Sequence, residues 1–277
     1  MKTFLLPTDF SDNALHALQY ACSLNRKLNA KLVLFHSYVI PVYSTDIPLT
    51  VPHDTELRKA SEAALRELKD RLDKEFPGME IDVDLHQGYP EEEIVFAADK
   101  HHADLIIMGT QGASGLREAL VGTISAAVME YANCPVMAVP AECNYKDFSK
   151  IVFATNYAEG DFLYVEQVLD FARPFGADLI LLHISSGEFE RSLEFDAIER
   201  FKERIKEDSN YKKVHFKLME SKNVYEGMNH YLDEVQADLV AMTMRKRSFI
   251  QKLFKRSITQ KMSYHTNIPL IAFKVPS

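Results

Sequence analysis

Short unbroken apolar runs alternate along the chain with longer stretches whose apolar positions recur every three to four residues. The runs at residues 4–6, 32–35, 105–108 and 136–139 have the length of strands, and continuous hydrophobicity marks parallel strands covered on both faces. Ser11 is placed to cap a first helix in which Ala14, Leu18, Ala21 and Cys22 share one face. A second helix is predicted over about 54–76, with Leu57, Leu65, Leu68 and Leu72 inward. Its Glu62/Arg66 and Glu67/Arg71 pairs at i,i+4 read as a solvated face. Ile81, Val83 and Leu85 alternate with Asp82, Asp84 and His86, which predicts a strand with one wetter face near a sheet edge. The sequence QGYPEEE then turns the chain into a third helix. Strands joined by crossovers of this length predict an α/β fold with a doubly wound parallel sheet, which binds ligands beyond the carboxyl ends of its strands.

The pattern occurs twice. KTFLLPTD at 2–9 matches KIVFATN at 150–156, and AKLVLFHS at 30–37 matches ADLILLHI at 177–184, both near an offset of 147. ADLIIMG at 103–109 matches ADLVAMT at 237–243, and NCPVMAVP at 133–140 matches NIPLIAFKVP at 267–276, at an offset of 134. The difference falls after the second strand, where 41–56 has a shorter counterpart, as expected of a loop insertion. Two tandem domains are expected, at 1–143 and 148–277.

Composition narrows the class. The chain has 277 residues, 47% hydrophobic and 26% charged, ordinary values for a globular protein and enough length for two modest domains. No apolar run approaches the roughly 20 residues of a membrane-spanning helix. Pro7 and Asp9 interrupt the apolar start MKTFLLPTDF and no small-residue cleavage site follows, so a cytoplasmic protein is expected. Cys22, Cys134 and Cys143 make an odd count without C-x-x-C spacing, which fits buried thiols in a reducing compartment. His36 and His183 fall at equivalent strand ends, and neither they nor the His101–His102 pair has partners at metal-ligand spacing, so structural hydrogen bonds are expected. The net charge of −8 argues against nucleic acid as a partner. It is uneven: through Lys146 there are 13 Lys and Arg against 21 Asp and Glu, and beyond it 19 of each.

The sharpest chemical signal is a cluster of glycines. Gly109, Gly112, Gly115 and Gly122 fall within MGTQGASGLREALVGTIS, directly after the fourth strand. Residues without Cβ are wanted where φ is positive or a phosphate approaches the backbone, and successive N–H groups there form an anion nest. Gly122, Thr123 and Ser125 open the next helix, whose N-terminus suits a phosphate and whose hydroxyls would complete the cradle. A surface loop without a ligand is the alternative.

The spacing of Gly109, Gly112 and Gly122-Thr123, together with LLPTDFS, LVLFHS, ADLIIMGTQGASG and CPVMAVP in this order, resembles the ATP-binding signature of the universal stress protein family. The resemblance covers nearly the whole chain. It implies two Rossmann-like domains of the adenine nucleotide alpha hydrolase type, with an adenine nucleotide (ATP, or ADP or AMP) in the first. By this resemblance Pro7, Thr8 and Asp9 lie beside the adenosine, and Asp9 reaches the ribose or a Mg²⁺ ion. Capping the first helix beside Ser11 is the other reading of Asp9. The backbone at Ser37 would contact adenine, Met108, Gly109 and Gly112 would flank ribose and phosphates, and Gly122, Thr123, Ile124 and Ser125 would hold the phosphate chain. The last strands, 136–139 and 270–273, are expected to pair edge to edge as an internal pseudo-dimer, with homodimerisation left open.

The same alignment puts Asn156 at Asp9, Thr243 at Gly109, Lys246 at Gly112 and Arg256 at Gly122, and only Ser257 persists, at Thr123. The second domain is therefore expected to have lost the nucleotide site, giving one nucleotide per chain. The basic segment 245–256 is either a solvated face or a surface for an anionic partner or the acidic first half. No Walker, G-x-S-x-G, H-E-x-x-H or dinucleotide fingerprint is present. The expected function is that of a non-enzymatic, ATP-binding regulatory protein of the stress response with an unidentified protein partner. The alternatives are a slow Mg-dependent ATPase, for which Asp9 is the candidate residue, and an interaction protein without ligand.

Overall fold

The computed structural model describes residues 2–40, 54–110, 122–157, 159–185, 191–244 and 267–275, without the side chains of 54, 159, 191–195 and 206–208. Gly112, Gly115 and the basic segment 245–256 lie outside them.

The first half runs β1 (Thr3–Pro7), α1 (Asp12–Leu28), β2 (Lys31–Tyr38), α2 (Asp54–Glu75), β3 (Ile81–Gln87), α3 (Pro90–Lys100), β4 (Leu105–Gly109), α4 (Thr123–Tyr131) and β5 (Val136–Val139). The second runs β6 (Lys150–Ala154), α5 (Glu159–Ala172), β7 (Asp178–Ser185), α6 (Arg191–Asp208), β8 (Val214–Glu220), α7 (Val224–Val235), β9 (Leu239–Met244) and β10 (Leu270–Lys274). Within each half the strands are parallel, and the two halves share one sheet of order β3-β2-β1-β4-β5-β10-β9-β6-β7-β8. The expected seam forms: β5 and β10 pair antiparallel, with Ile271 opposite Met137. Pairing hides the β5 edge of one half and the β10 edge of the other, leaving β3 and β8 as the outer strands.

Period-two alternation sorts the core into two layers. Phe4, Leu6, Leu32, Leu34, Ile107, Phe153 and Ile271 face a layer with α1, α2, α5 and α6. Leu5, Val33, Ile106, Val136, Val152 and Leu270 face a layer with α3, α4 and α7. Each layer crosses the seam, so the hydrophobic core belongs to both halves together.

The duplication extends to backbone conformation. Positive φ occurs at Phe10 and Tyr157 (63° and 55°), at Asn29 and Gly176 (50° and 62°), and at His102 and Gln236 (48° and 53°). These are equivalent positions at offsets of 147, 147 and 134. Asn29 ends α1 directly and Gly176 ends the 3₁₀ turn Arg173–Phe175 that follows α5, each as the left-handed residue that stops a helix.

The edge strand β3 departs from its expected polarity. Val83 is 39% exposed, whereas Asp84 and His86 are tucked beneath α3. Asp84 is bonded by Lys100 at 2.9 Å and His101 at 2.7 Å, and His86 Nδ1 lies 2.9 Å from Glu93. Lys100 and His101 hold the Asp84 carboxyl below its usual range against the opposing effect of burial. The alternation at 81–86 therefore encodes an ionic clasp between strand and helix. In α2, Glu62 pairs with Arg66 as expected at 3.8 Å and more closely with Arg58 at 3.0 Å.

All three thiols are free. Burial pushes Cys22 and Cys134 up to about 12 and Cys143 up to about 11. Because the thiolate is the nucleophile, the native protein should resist iodoacetamide at pH 8 and label at three sites in denaturant, as intact-mass spectrometry would report. Labelling of the native protein within minutes would contradict this burial.

Candidate functional site

The strand order reverses between β1 and β4, and the crevice at their carboxyl ends is where a doubly wound sheet leaves room for a ligand. On the β1 side the chain stays tied to β2 as it leaves the sheet: Thr8 N–H donates to the Phe35 carbonyl at 2.8 Å, and His36 Nδ1 donates to the Thr8 carbonyl at 2.8 Å. Phe10 turns the chain at positive φ, its N–H held by the Thr8 hydroxyl at 3.0 Å. Ser11 caps α1 as predicted, accepting from Ala14 N–H at 3.2 Å. Its hydroxyl and N–H donate to Asp9 at 2.6 and 3.1 Å. Asp9 thus supports the cap and borders the crevice at once.

On the β4 side, Gly122 N–H donates to the Thr110 carbonyl at 2.5 Å, which brings the start of α4 back to the strand end. Gly122 is the N-cap of α4 without a side-chain cap bond, and the first turn carries no acidic residue. The first N–H groups of this helix therefore lack a side-chain partner at the cap, and the positive end of the helix dipole faces the crevice. One of the two reasons expected for glycine falls here, and the expected role of the Ser125 hydroxyl needs correction. Gly122 has φ −66° and ψ 163°, and Gly109 is not among the positive-φ glycines, so at both positions glycine supplies space rather than an unusual backbone. The buried Ser125 hydroxyl donates to the Gly109 carbonyl at 2.9 Å, so it fastens helix to strand and keeps only lone pairs for anything else.

Between these walls lies a cavity of about 280 Å³. Pro7, Thr8, Asp9 and Ser37 line it from β1 and β2, Met108 and Gly109 from β4, and Gly122, Thr123, Ile124 and Ser125 from the start of α4. The structure thus brings together every expected residue except Gly112, which is outside the described residues. Sequence reasoning missed Ala14, Phe35, His36, Pro90 and Ile94. Phe35, Ile94 and Met108 give the lining an apolar part, while Asp9, Thr123 and the α4 amides supply its polar groups. Pro90 and Ile94 had a usable signal, since α3 starts at a strand's carboxyl end by the same topology that placed α4.

His36 was expected to be structural, and it is both bonded and part of the wall. Burial lowers its pKa from the ordinary 6.5, against the opposing pull of the Thr8 carbonyl and Asp9. The neutral ring donates from Nδ1 and keeps Nε2 as an acceptor. Since the unfolded chain takes up this proton at a higher pH than the folded one, the contribution of His36 to stability is complete above pH 6.5 and declines below it. Urea midpoints measured from about pH 7.5 to about 5.5 should fall more steeply for the wild type than for His36→Gln. Equal slopes would refute this contribution.

The second half repeats the frame. Thr155 N–H donates to Leu182 O at 3.0 Å, His183 Nδ1 donates to Thr155 O at 2.9 Å, and Tyr157 N–H to the Thr155 hydroxyl at 2.9 Å. Thr243 stands at the Gly109 position, while Lys246, Arg256 and Ser257 lie outside the described residues. Among the described residues no group of three or more His, Cys, Asp or Glu side chains could hold a metal, and no helix is long and apolar enough to cross a membrane.

Comparison with known proteins agrees with the duplicated frame. The profile of the universal stress protein family matches residues 1–140 and again 147–274. Universal stress protein MJ0531 of Methanocaldococcus jannaschii is 34% identical over 143 residues, covering 50% of this chain and 81% of its own. A universal stress protein of Thermus aquaticus is 34% identical over 140 residues, 50% of this chain and 98% of its own. At full length, the crystal structure of a universal stress protein from Archaeoglobus fulgidus covers 99% of this chain and 98% of its own, with a TM-score of 0.74 at 19% identity, a likeness of fold. With its profile matched once in each half and one fold spanning both, the chain belongs to the universal stress protein family and carries the family's domain twice in tandem.

Proposed function

We propose that the first half binds one adenine nucleotide, ATP or in its place ADP or AMP, and that the protein is a non-enzymatic regulator in which occupancy of this site changes what the tandem module presents to a protein partner. The observation that carries this reading is the cavity at the β1/β4 reversal, lined by the apolar Phe35, Ile94 and Met108 together with Asp9 and the start of α4, whose glycine N-cap offers no side chain to the helix amides. An apolar slot suits a purine ring, and free helix amides suit phosphate. These residues fit the ligand. Asp9 is the side chain that would hold Mg²⁺ with the phosphates; the ion would neutralise phosphate charge there.

Calorimetric titration with Mg·ATP should give one site per chain. At a hundredfold excess over Kd, ATP should stabilise the fold by about 2.7 kcal/mol in denaturant titrations. No binding at millimolar ATP would end this reading, and two equivalent sites would end the claim of a single one. Phosphate release separates regulator from enzyme, because turnover requires a group positioned at the γ-phosphate. We expect no release above buffer; sustained release lost in Asp9→Ala would establish the slow ATPase instead.

A further inference from the structure

The repeat offsets carry the cavity of the first half onto the second: Thr8 becomes Thr155, Ala14 becomes Asp161, and Gly109 becomes Thr243. Ala14 and Gly109 give the first cavity a methyl group and bare backbone. Their counterparts meet across the corresponding space. Asp161 is 0% exposed, and its Oδ2 accepts from the Thr155 hydroxyl at 2.9 Å and from Asn156 N–H at 3.3 Å. Its Oδ1 accepts from the Thr243 hydroxyl at 3.1 Å. One carboxylate therefore ties the carboxyl ends of β6 and β9, the strands equivalent to the walls of the first cavity.

Desolvating a carboxylate is costly unless donors surround it, and a partly satisfied buried network is worse than an apolar one. Thr243 supplies a donor that the glycine of the first half could not, so the two differences between the halves are chemically matched. Helix α7 also sits close against the strand end of β7. Gly227 stands where the first half has Glu93, and a Cβ there would lie 2.6 Å from the Ser221 side chain and 3.4 Å from Ile184, which replaces Ser37.

We propose that Asp161 and Thr243 form a built-in plug that closes the second half to nucleosides and their phosphates, filling the space with side chains and presenting a negative charge where the first half leaves room. This goes beyond the loss of glycines in the loop, because it places the block inside the fold, and it rests on reading the first cavity as a nucleotide site. A plug of this kind is transferable. The variant Ala14→Asp/Gly109→Thr introduces it into the first half, where the Thr8 hydroxyl stands ready in the place of Thr155.

The test measures Mg·ATP affinity of this variant by calorimetry, its melting temperature, and its crystal structure. We expect more than a tenfold loss of affinity, cooperative melting, and a carboxylate at position 14 bridging Thr8 and the hydroxyl introduced at 109. A smaller loss of affinity in a protein that shows the bridge would overturn the proposal. If the wild type binds no ATP, the nucleotide reading falls and the plug that rests on it falls too; if it binds, a carboxylate at position 14 turned out to solvent overturns the plug alone. The converse variant, Asp161→Ala/Thr243→Gly, should gain a second equivalent of an uncharged fluorescent adenosine analogue. Cooperative melting without that gain would show that other groups close the second half and would also overturn the proposal.

Discussion

Ile271→Asp is expected to destabilise both halves together. Ile271 lies at the seam with 0% exposure, opposite Met137 on β5 and beside Ala241 on β9. It belongs to the core layer that crosses from one half to the other. A lone carboxylate among these apolar neighbours loses its hydration, and removal of the isoleucine also leaves unfilled volume. The cost expected of such a change, about 4 kcal/mol or more, is a large part of the roughly 5–15 kcal/mol that holds a domain folded. Ile271→Val, which keeps the shape, should cost about 1 kcal/mol. Urea unfolding followed by far-UV circular dichroism is the measurement, since the chain has no tryptophan. One transition shifted to lower urea supports a core held in common. Two transitions, of which only the later half moves, would show that the seam joins independently stable units.

Gly122→Asp should remove ATP binding while leaving the fold at least as stable. Gly122 is the N-cap of α4 at φ −66° and ψ 163°, a conformation open to any residue. Aspartate caps helices better than glycine by a few tenths of a kcal/mol and favours the positive end of the dipole. The same carboxylate would occupy the amides proposed to receive phosphate and repel it. Affinity for Mg·ATP should fall by about a hundredfold or more, roughly 2.7 kcal/mol, with an unchanged or slightly raised melting temperature. Opposite signs for binding and stability exclude general damage as the cause. Unchanged affinity would mean that the phosphates do not meet the start of α4.

The duplication, the strands and the place of the site were legible because each leaves a one-dimensional trace. Strands covered on both faces must be continuously apolar, as at β2 and β4, and a copied fold repeats its spacing. The glycines after β4 marked the crevice because backbone that must come close to something cannot carry side chains. Less legible was what each flagged residue does. Ser125 appeared as a ligand hydroxyl and serves as a fastener to the Gly109 carbonyl. Asp82, Asp84 and His86 formed one polar series, yet Asp84 and His86 are enclosed by Lys100, His101 and Glu93. Asp161 gave no signal, since an acid in the first turns of a helix ordinarily faces water.

Sequence pattern alone determined the α/β class, the tandem repeat and the cap at Ser11, because propensity, period and capping are written along the chain, while the edge that joins the halves was expected from the family resemblance. Tertiary structure alone decided that Ala14, Phe35 and Ile94 share a cavity wall with Gly122, and that Asp161 reaches Thr243 across 82 positions. Those outcomes depend on which side chains meet once strands distant in sequence lie side by side. Whether a carboxylate is solvated or locked between two hydroxyls is settled by that meeting.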